Sequence, residues 1–318
     1  MMNRLILVAA LVAGYCPILS AQEALDSAAK LSDLATDNEE PFELDGDFTA
    51  QINTPLEGHF VYRWKSKTEW WRKITMGGFE QIEIFRGDTR YIVRNVSFEP
   101  ERVTELKGLL WFGRSYDHYY SWNQKKRKLN GFEASCIQTK DRKTGGEGPE
   151  VCTDPKSNQI LLETWKGVPE DQTRREFANY IPFGSHQVPS KIKLRRGASV
   201  VLSAQITNLR AAPFDDALLT PPPGAIARHE CQGIKQPVMI HRPSPGELAL
   251  QGSSGITSIS ITIGVDGSIT EAHLVGRSTK EMDEKVLKSL HAWKYQPAMC
   301  GNEPVVADLM VSIGIYKQ

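Results

Sequence analysis

Residues 42–209 repeat a single pattern: short runs rich in aromatic and β-branched residues, mostly alternating apolar with polar, cut at short intervals by turn signals. Period-two alternation sends successive side chains to opposite faces, so each run reads as a strand with one face on a core and the other in water. The clearest runs are 48–52, 58–64, 79–85, 89–94 and 190–195, and Gly77-Gly78, Gly87-Asp88, Asn130-Gly131 and Gly145-Gly146 supply turns. One-sided burial of this kind belongs to antiparallel sheets. Residues 100–121 break the pattern with Val103, Leu106, Leu109, Leu110 and Phe112, and are expected to hold a helix or a long excursion over the sheet. The predicted fold class is α+β: an antiparallel curved sheet or partial barrel, its strands paired in chain order with one helix on the concave face, followed by a small ββαβ domain.

The flanks divide the chain further. Arg4 precedes an apolar stretch over 5–19, followed by Ser20, Ala21 and Gln22, which reads as a secretory signal over 1–21. An uncleaved membrane anchor is the alternative; the run is shorter than the roughly 20 residues of a spanning helix and contains Gly14, Tyr15 and Pro17. Cys16 follows Tyr15 and not a small residue, which argues against lipid attachment. Residues 22–41 are read as an amphipathic helix and linker, with Ala24, Leu25, Ala28, Leu31, Leu34 and Ala35 at near-helical spacing before Pro41. A β-rich domain is expected over 42–210, a proline-rich linker over 211–223 and a second domain over 224–318.

Lys plus Arg equals Asp plus Glu at 38 each, so no global field favours nucleic acid as a partner, and Lys125, Lys126, Arg127 and Lys128 read as a solvated hairpin end. Beyond the signal segment remain Cys136, Cys152, Cys231 and Cys300. An exported chain permits disulfides, and the pairing that respects the domain boundary joins Cys136 to Cys152 and Cys231 to Cys300; unpaired thiols are the alternative. His229, Cys231, His241 and Cys300 are zinc-ligand types, but their spacing matches no compact zinc motif. No metal or cofactor is expected.

The last domain carries the most specific signal. Residues 256–264 alternate Ile259, Ile261 and Ile263 with polar positions, Asp266-Gly267 makes a hairpin turn, and 269–275 returns. Met282, Val286, Leu287 and Leu290 then share a helical face, and 305–316 is a long final strand. Gly267, Ser278, Ala292, Trp293, Tyr295, Pro297, Ala298, Gly301, Pro304 and Val305 fall in an order that resembles the TonB carboxy-terminal domain family, with one extra residue between Gly301 and Pro304. That resemblance implies an exposed strand edge to which an extended peptide adds as a further strand. By analogy the edge is 308–316, with Asp308, Met310, Val311, Ser312, Ile313, Gly314, Ile315 and Tyr316 as partner-binding residues. The partner would be an envelope protein or a peptide of an outer-membrane transporter; a homodimer made through the same edge is the alternative. The chain departs from energy-transducing TonB proteins, since no histidine precedes His59 and a folded β-rich domain stands where those have a spacer.

The middle domain is faintly similar to lipoprotein carriers of the LolA and LolB type, through Pro189, Ile192, Leu194, Val200, Ile206, Leu209, Leu218 and Pro221. That resemblance implies an incomplete barrel sheltering an acyl chain or other hydrophobic ligand, with Trp64, Phe85, Trp111 and Phe112 as pocket candidates and Trp70, Trp71, Tyr119 and Trp122 as further aromatics. A barrel filled by its own side chains is the alternative. The sequence contains no Gly-x-Ser-x-Gly elbow, His-Glu-x-x-His, phosphate-binding glycine loop or Cys-x-x-Cys, and Asp117-His118 alone does not make an acid-base site. A non-catalytic periplasmic binding protein is therefore expected, with a hydrophobic-ligand carrier and an energy transducer as alternatives.

Overall fold

The structure is a computed structural model that describes residues 20–35, 40–52, 54–110, 115–129, 131–165, 172–231, 233–242, 255–276 and 279–315. Nearly all of the signal segment lies outside these residues. Strands β1 (Phe42–Gln51), β2 (Pro55–Ser66), β3 (Glu69–Met76), β4 (Phe79–Arg86) and β5 (Thr89–Arg94) form one meander. A second consists of β6 (Tyr119–Leu129), β7 (Phe132–Asp141), β8 (Glu147–Thr153), β9 (Ile160–Trp165), β10 (Thr173–Phe183), β11 (His186–Arg196) and β12 (Ser199–Ala211). β1 pairs with both β2 and β12, which fuses the meanders, and β13 (Ile226–His229) adds to β5. The result is a 13-stranded sheet ordered β13-β5-β4-β3-β2-β1-β12-β11-β10-β9-β8-β7-β6, whose two end strands do not meet. It is a curved open sheet and not a closed barrel. Pairing in chain order holds inside each meander; the β1–β12 junction departs from it, because turn residues specify neighbours and not which distant strands meet.

Two helices pack on one core with the sheet, where the sequence predicted one. Helix α1 (Ala21–Ser32) starts at a capping box, Ser20 accepting from the Glu23 amide while the Glu23 carboxylate accepts from the Ser20 amide. It buries Leu25, Ala28 and Ala29 and touches β6, β9 and β11. In a flat sheet β6 and β11 would stand roughly 24 Å apart at about 4.8 Å per strand, more than twice the width of a helix. Contact with both requires the sheet to curl around α1. Helix α2 (Glu101–Leu109) begins directly after Pro100 and buries Val103, Leu106 and Leu109. The concave face carries Phe42, Leu44, Phe48, Phe60, Tyr62, Trp64, Trp70 and Ile74. Gly46 opposes Phe60 across β1 and β2, and Gly58 opposes Phe48. A Cβ at either glycine would come within 2.3 Å of its facing ring, so each aromatic occupies the space left by a bare backbone.

The carboxy-terminal unit contains β14 (Val238–His241), β15 (Gly255–Ile263), β16 (Ile269–Gly276), helix α3 (Lys280–Ser289), β17 (Lys294–Gln296), β18 (Ala298–Cys300), β19 (Glu303–Val305) and β20 (Ala307–Ile315). β16, β15 and β20 form a three-stranded sheet in that order, β14 pairs with β17, and β18 with β19. Ile259, Ile261 and Ile263 lie against Met282, Val286, Leu290, Trp293 and Tyr295. Both disulfides of the expected pairing form, Cys136–Cys152 across β7 and β8 and Cys231–Cys300 between the segment after β13 and β18.

Candidate functional site

β20 bonds to β15 in a continuous antiparallel register from Ile263–Ala307 to Gly255–Ile315, and no described strand lies on its other side. Alternation along it is clean. Leu309, Val311 and Ile313 pack against the isoleucines of β15, while Asp308, Met310, Ser312 and Gly314 are exposed, Met310 to 50%. The inward set fixes the strand in place and the open edge leaves alternate amides and carbonyls unpaired by any described strand. Ser312 Oγ sits 3.0 Å from Ser258 Oγ, a cross-strand contact on the polar face. Asp308 is already engaged: it accepts from Thr262 Oγ1 at 2.7 Å and lies 3.5 Å from Arg228 of β13. The free stretch therefore begins near Met310. Ile315 belongs to the strand, its side chain not being described, and Tyr316 lies outside the described residues.

The pocket candidates are placed differently. Trp64 is 4% exposed and stacks on Phe42 at 5.9 Å, and Phe85 stacks on Trp70 at 5.4 Å. Tyr62 bridges the pairs, 6.1 Å from Trp64 and 5.7 Å from Trp70, so the aromatics form one packed band across the concave face. The cleft beside this band, lined by Leu44, Phe60, Val61, Tyr62, Arg72 and Leu110, has room for no more than about one water molecule. Trp71 points to the other face, Tyr119 is partly buried against the core, and Trp122 is half exposed on β6. Trp111 and Phe112 lie outside the described residues. Asp117 and His118 occupy an exposed turn whose carbonyls accept from Arg142.

Sequence reading missed a charged group on the concave face. Arg72 shares the inward parity of Trp70 and Ile74, and Gln81 and Glu83 share that of Phe79 and Phe85. Arg72 pairs with Glu83 and lies 5.1 Å from the Trp70 ring; Lys107 of α2 reaches Glu83 at 2.7 Å and Glu99 at 2.6 Å. Burial alone would push the Glu83 carboxyl up, but Arg72, Lys107 and Arg90 outweigh it and hold it well below the usual carboxylate range. The group pins α2 to the sheet. Strict parity was the signal available for it: charges at positions otherwise occupied by aromatics. Cys136, Glu150 and Cys152 lie close together, but both sulfurs are in a disulfide and supply no thiolate to a metal. No helix of the described residues is long and apolar enough to cross a membrane.

Residues 243–314 match the family model of the Gram-negative bacterial TonB protein C-terminal. No curated protein matches the chain. Solved structures similar to it include a LolA superfamily protein from Nitrosomonas europaea, at 10% identity and a TM-score of 0.46, covering 64% of this chain and 98% of that one. A putative outer membrane lipoprotein-sorting protein domain from Vibrio parahaemolyticus aligns at 10% identity and a TM-score of 0.42, over 62% and 95% of the two chains. A chain of the Pseudomonas aeruginosa MucA/MucB complex aligns at 12% identity and a TM-score of 0.28, over 91% and 93%.

Proposed function

We propose that this chain is an exported, non-catalytic protein of the bacterial envelope that binds a partner protein by strand addition along β20. The observation that carries the reading is the one-sided pairing of β20: its apolar residues are held by the core while no described strand pairs with its outer edge. The matching family model over 243–314 supports the bacterial envelope as the setting. Backbone hydrogen bonds would supply much of the affinity, with selectivity from side chains flanking Met310 and Ser312. The carrier reading has less support, because the concave face is packed by its own aromatics and the adjoining cleft is about the size of a water molecule.

The test places a photo-crosslinking side chain at Met310 and compares Ser312→Pro with Ser312→Ala. Proline removes an amide donor and fixes φ, so the adduct should be lost in Ser312→Pro and kept in Ser312→Ala. A folded Ser312→Pro protein that retained the adduct would move recognition away from β20.

A further inference from the structure

The opposite end of the molecule holds a second open edge with a different chemistry. β6 closes the order of the large sheet and, among the described strands, pairs only with β7. Its first half is covered: the Ser121 amide donates to Gln22 of α1 at 2.9 Å, so this amide points away from β7. The register then steps once past Trp122, with Ser121 opposite Thr139 and Asn123 opposite Gln138. Antiparallel pairs alternate between bonded and non-bonded, so counting along β7 turns the amides of Gln124, Lys126 and Lys128 to the open side. No described residue covers them.

Four of the seven side chains on this open half are cationic. Lys125 and Arg127, opposite Cys136 and Ala134, share the buried carboxylate of Glu150 at 3.1 and 2.7 Å. Lys126 and Lys128 lie on the other face, both exposed, and among the described residues neither makes an ion pair. They stand two residues apart, about 6.6 Å along the strand. Trp122 is 50% exposed at the near end with Lys140 4.3 Å above its ring, and Tyr120 is 37% exposed beside it. A lysine-bearing edge repels a second copy of itself, which guards against self-association and excludes β6–β6 pairing as the occupant. The same charges favour an extended strand with carboxylates at every second residue, since side chains on one face of adjacent strands meet directly. An open ladder is of no use to a lipid surface, where unpaired backbone is costly.

We infer that the 123–129 half of β6 is a docking edge for an extended acidic peptide segment of a partner, bound by strand addition with its carboxylates over Lys126 and Lys128. The site is separate from β20, so the two tests fail independently. The experiment measures fluorescence anisotropy of a labelled peptide alternating Glu and Val against the full chain, with a Lys-Val peptide and phosphatidylglycerol vesicles as further probes. Expected are saturable binding of the acidic peptide that weakens with salt, no binding of the basic one, and at least tenfold loss in the Lys126→Glu, Lys128→Glu double variant and in Lys126→Pro. Ser312→Pro should leave this binding unchanged. Lys126→Gln with Lys128→Gln supplies a milder pair whose fold is not at risk, with loss in the same direction. The inference is overturned if folded Lys126→Pro binds the acidic peptide as the parent does, if charge removal has no effect, or if vesicles bind and compete the peptide away equally in parent and Lys126→Pro.

Discussion

Glu83 is 1% exposed and sits among Arg72, Lys107 and Gln81, so its charge is stable only because those partners face it. Its carboxyl titrates below 4.5 in the folded chain because Arg72, Lys107 and Arg90 overcome the upward push of burial. A depressed folded value means that the unfolded chain binds the proton more readily. The contribution of Glu83 is thus complete above about 4.5 and is lost as pH falls toward the folded value. Glu83→Gln keeps the shape and strands a buried guanidinium, so neutral-pH stability should fall by about 3–5 kcal/mol in urea unfolding. The same variant should flatten the acid limb of the stability profile below about 4.5. Arg72→Met combined with Glu83→Leu should recover most of the loss, because an apolar pair of similar volume carries no desolvation cost. Gly267 lies in the turn between β15 and β16. Its φ is +79°, and an added Cβ would stand 1.9 Å from the Tyr295 carbonyl oxygen, which is backbone and has no rotamer to yield. Gly267→Ala should therefore lower the melting temperature of the carboxy-terminal unit, by an amount corresponding to about 1–3 kcal/mol.

Among the elements, β15 and β20 differ in a way that hydrogen exchange reads directly. Among the described strands, β15 is paired on both sides and β20 on one. Amides of β15 should exchange slowly throughout, whereas β20 should alternate protected and unprotected positions; uniform protection along β20 would mean that its edge is covered. The two strands were legible in the sequence because isoleucines alternate with polar residues and a single Asp-Gly turn fixes the first hairpin. Long-range pairings were not. β1 and β12 open and close the stretch of chain that holds both meanders, and nothing local in either strand specifies the other. β13 escaped notice for the same reason: in the sequence 226–229 fall at the start of the second domain expected over 224–318, and only pairing with β5 puts them in the large sheet. The candidate edge at β20 was legible through family resemblance, but the engagement of Asp308 by Thr262 and Arg228 was not, as it joins residues from three separate strands. β14 was also unread: Val238 and Ile240 are 56% and 65% exposed, so no burial period marks the strand.

Across the whole molecule, few contacts among the described residues hold the carboxy-terminal unit to the large sheet. β13 is part of that sheet, and Cys231 follows it by two residues before bonding to Cys300 in β18. The Arg228–Asp308 contact at 3.5 Å and Ser97 Oγ to His273 Nδ1 at 3.0 Å lie alongside. Both are exposed polar contacts, each worth no more than about 1 kcal/mol. The disulfide is the stronger link. Its partners are separated by 69 positions, which in the chain-entropy account corresponds to about 4 kcal/mol of constraint on the unfolded chain. Replacing both cysteines in Cys231→Ser with Cys300→Ser should then lower the stability of the carboxy-terminal unit while the large sheet keeps its own core and the Cys136–Cys152 bond. Calorimetry should resolve a single broad transition into two, the earlier one from the small unit, and tryptophan fluorescence should follow chiefly the later one, with a smaller change at the earlier one from Trp293. Coincident transitions at the parent temperature would show that the two units fold as one block without the bond.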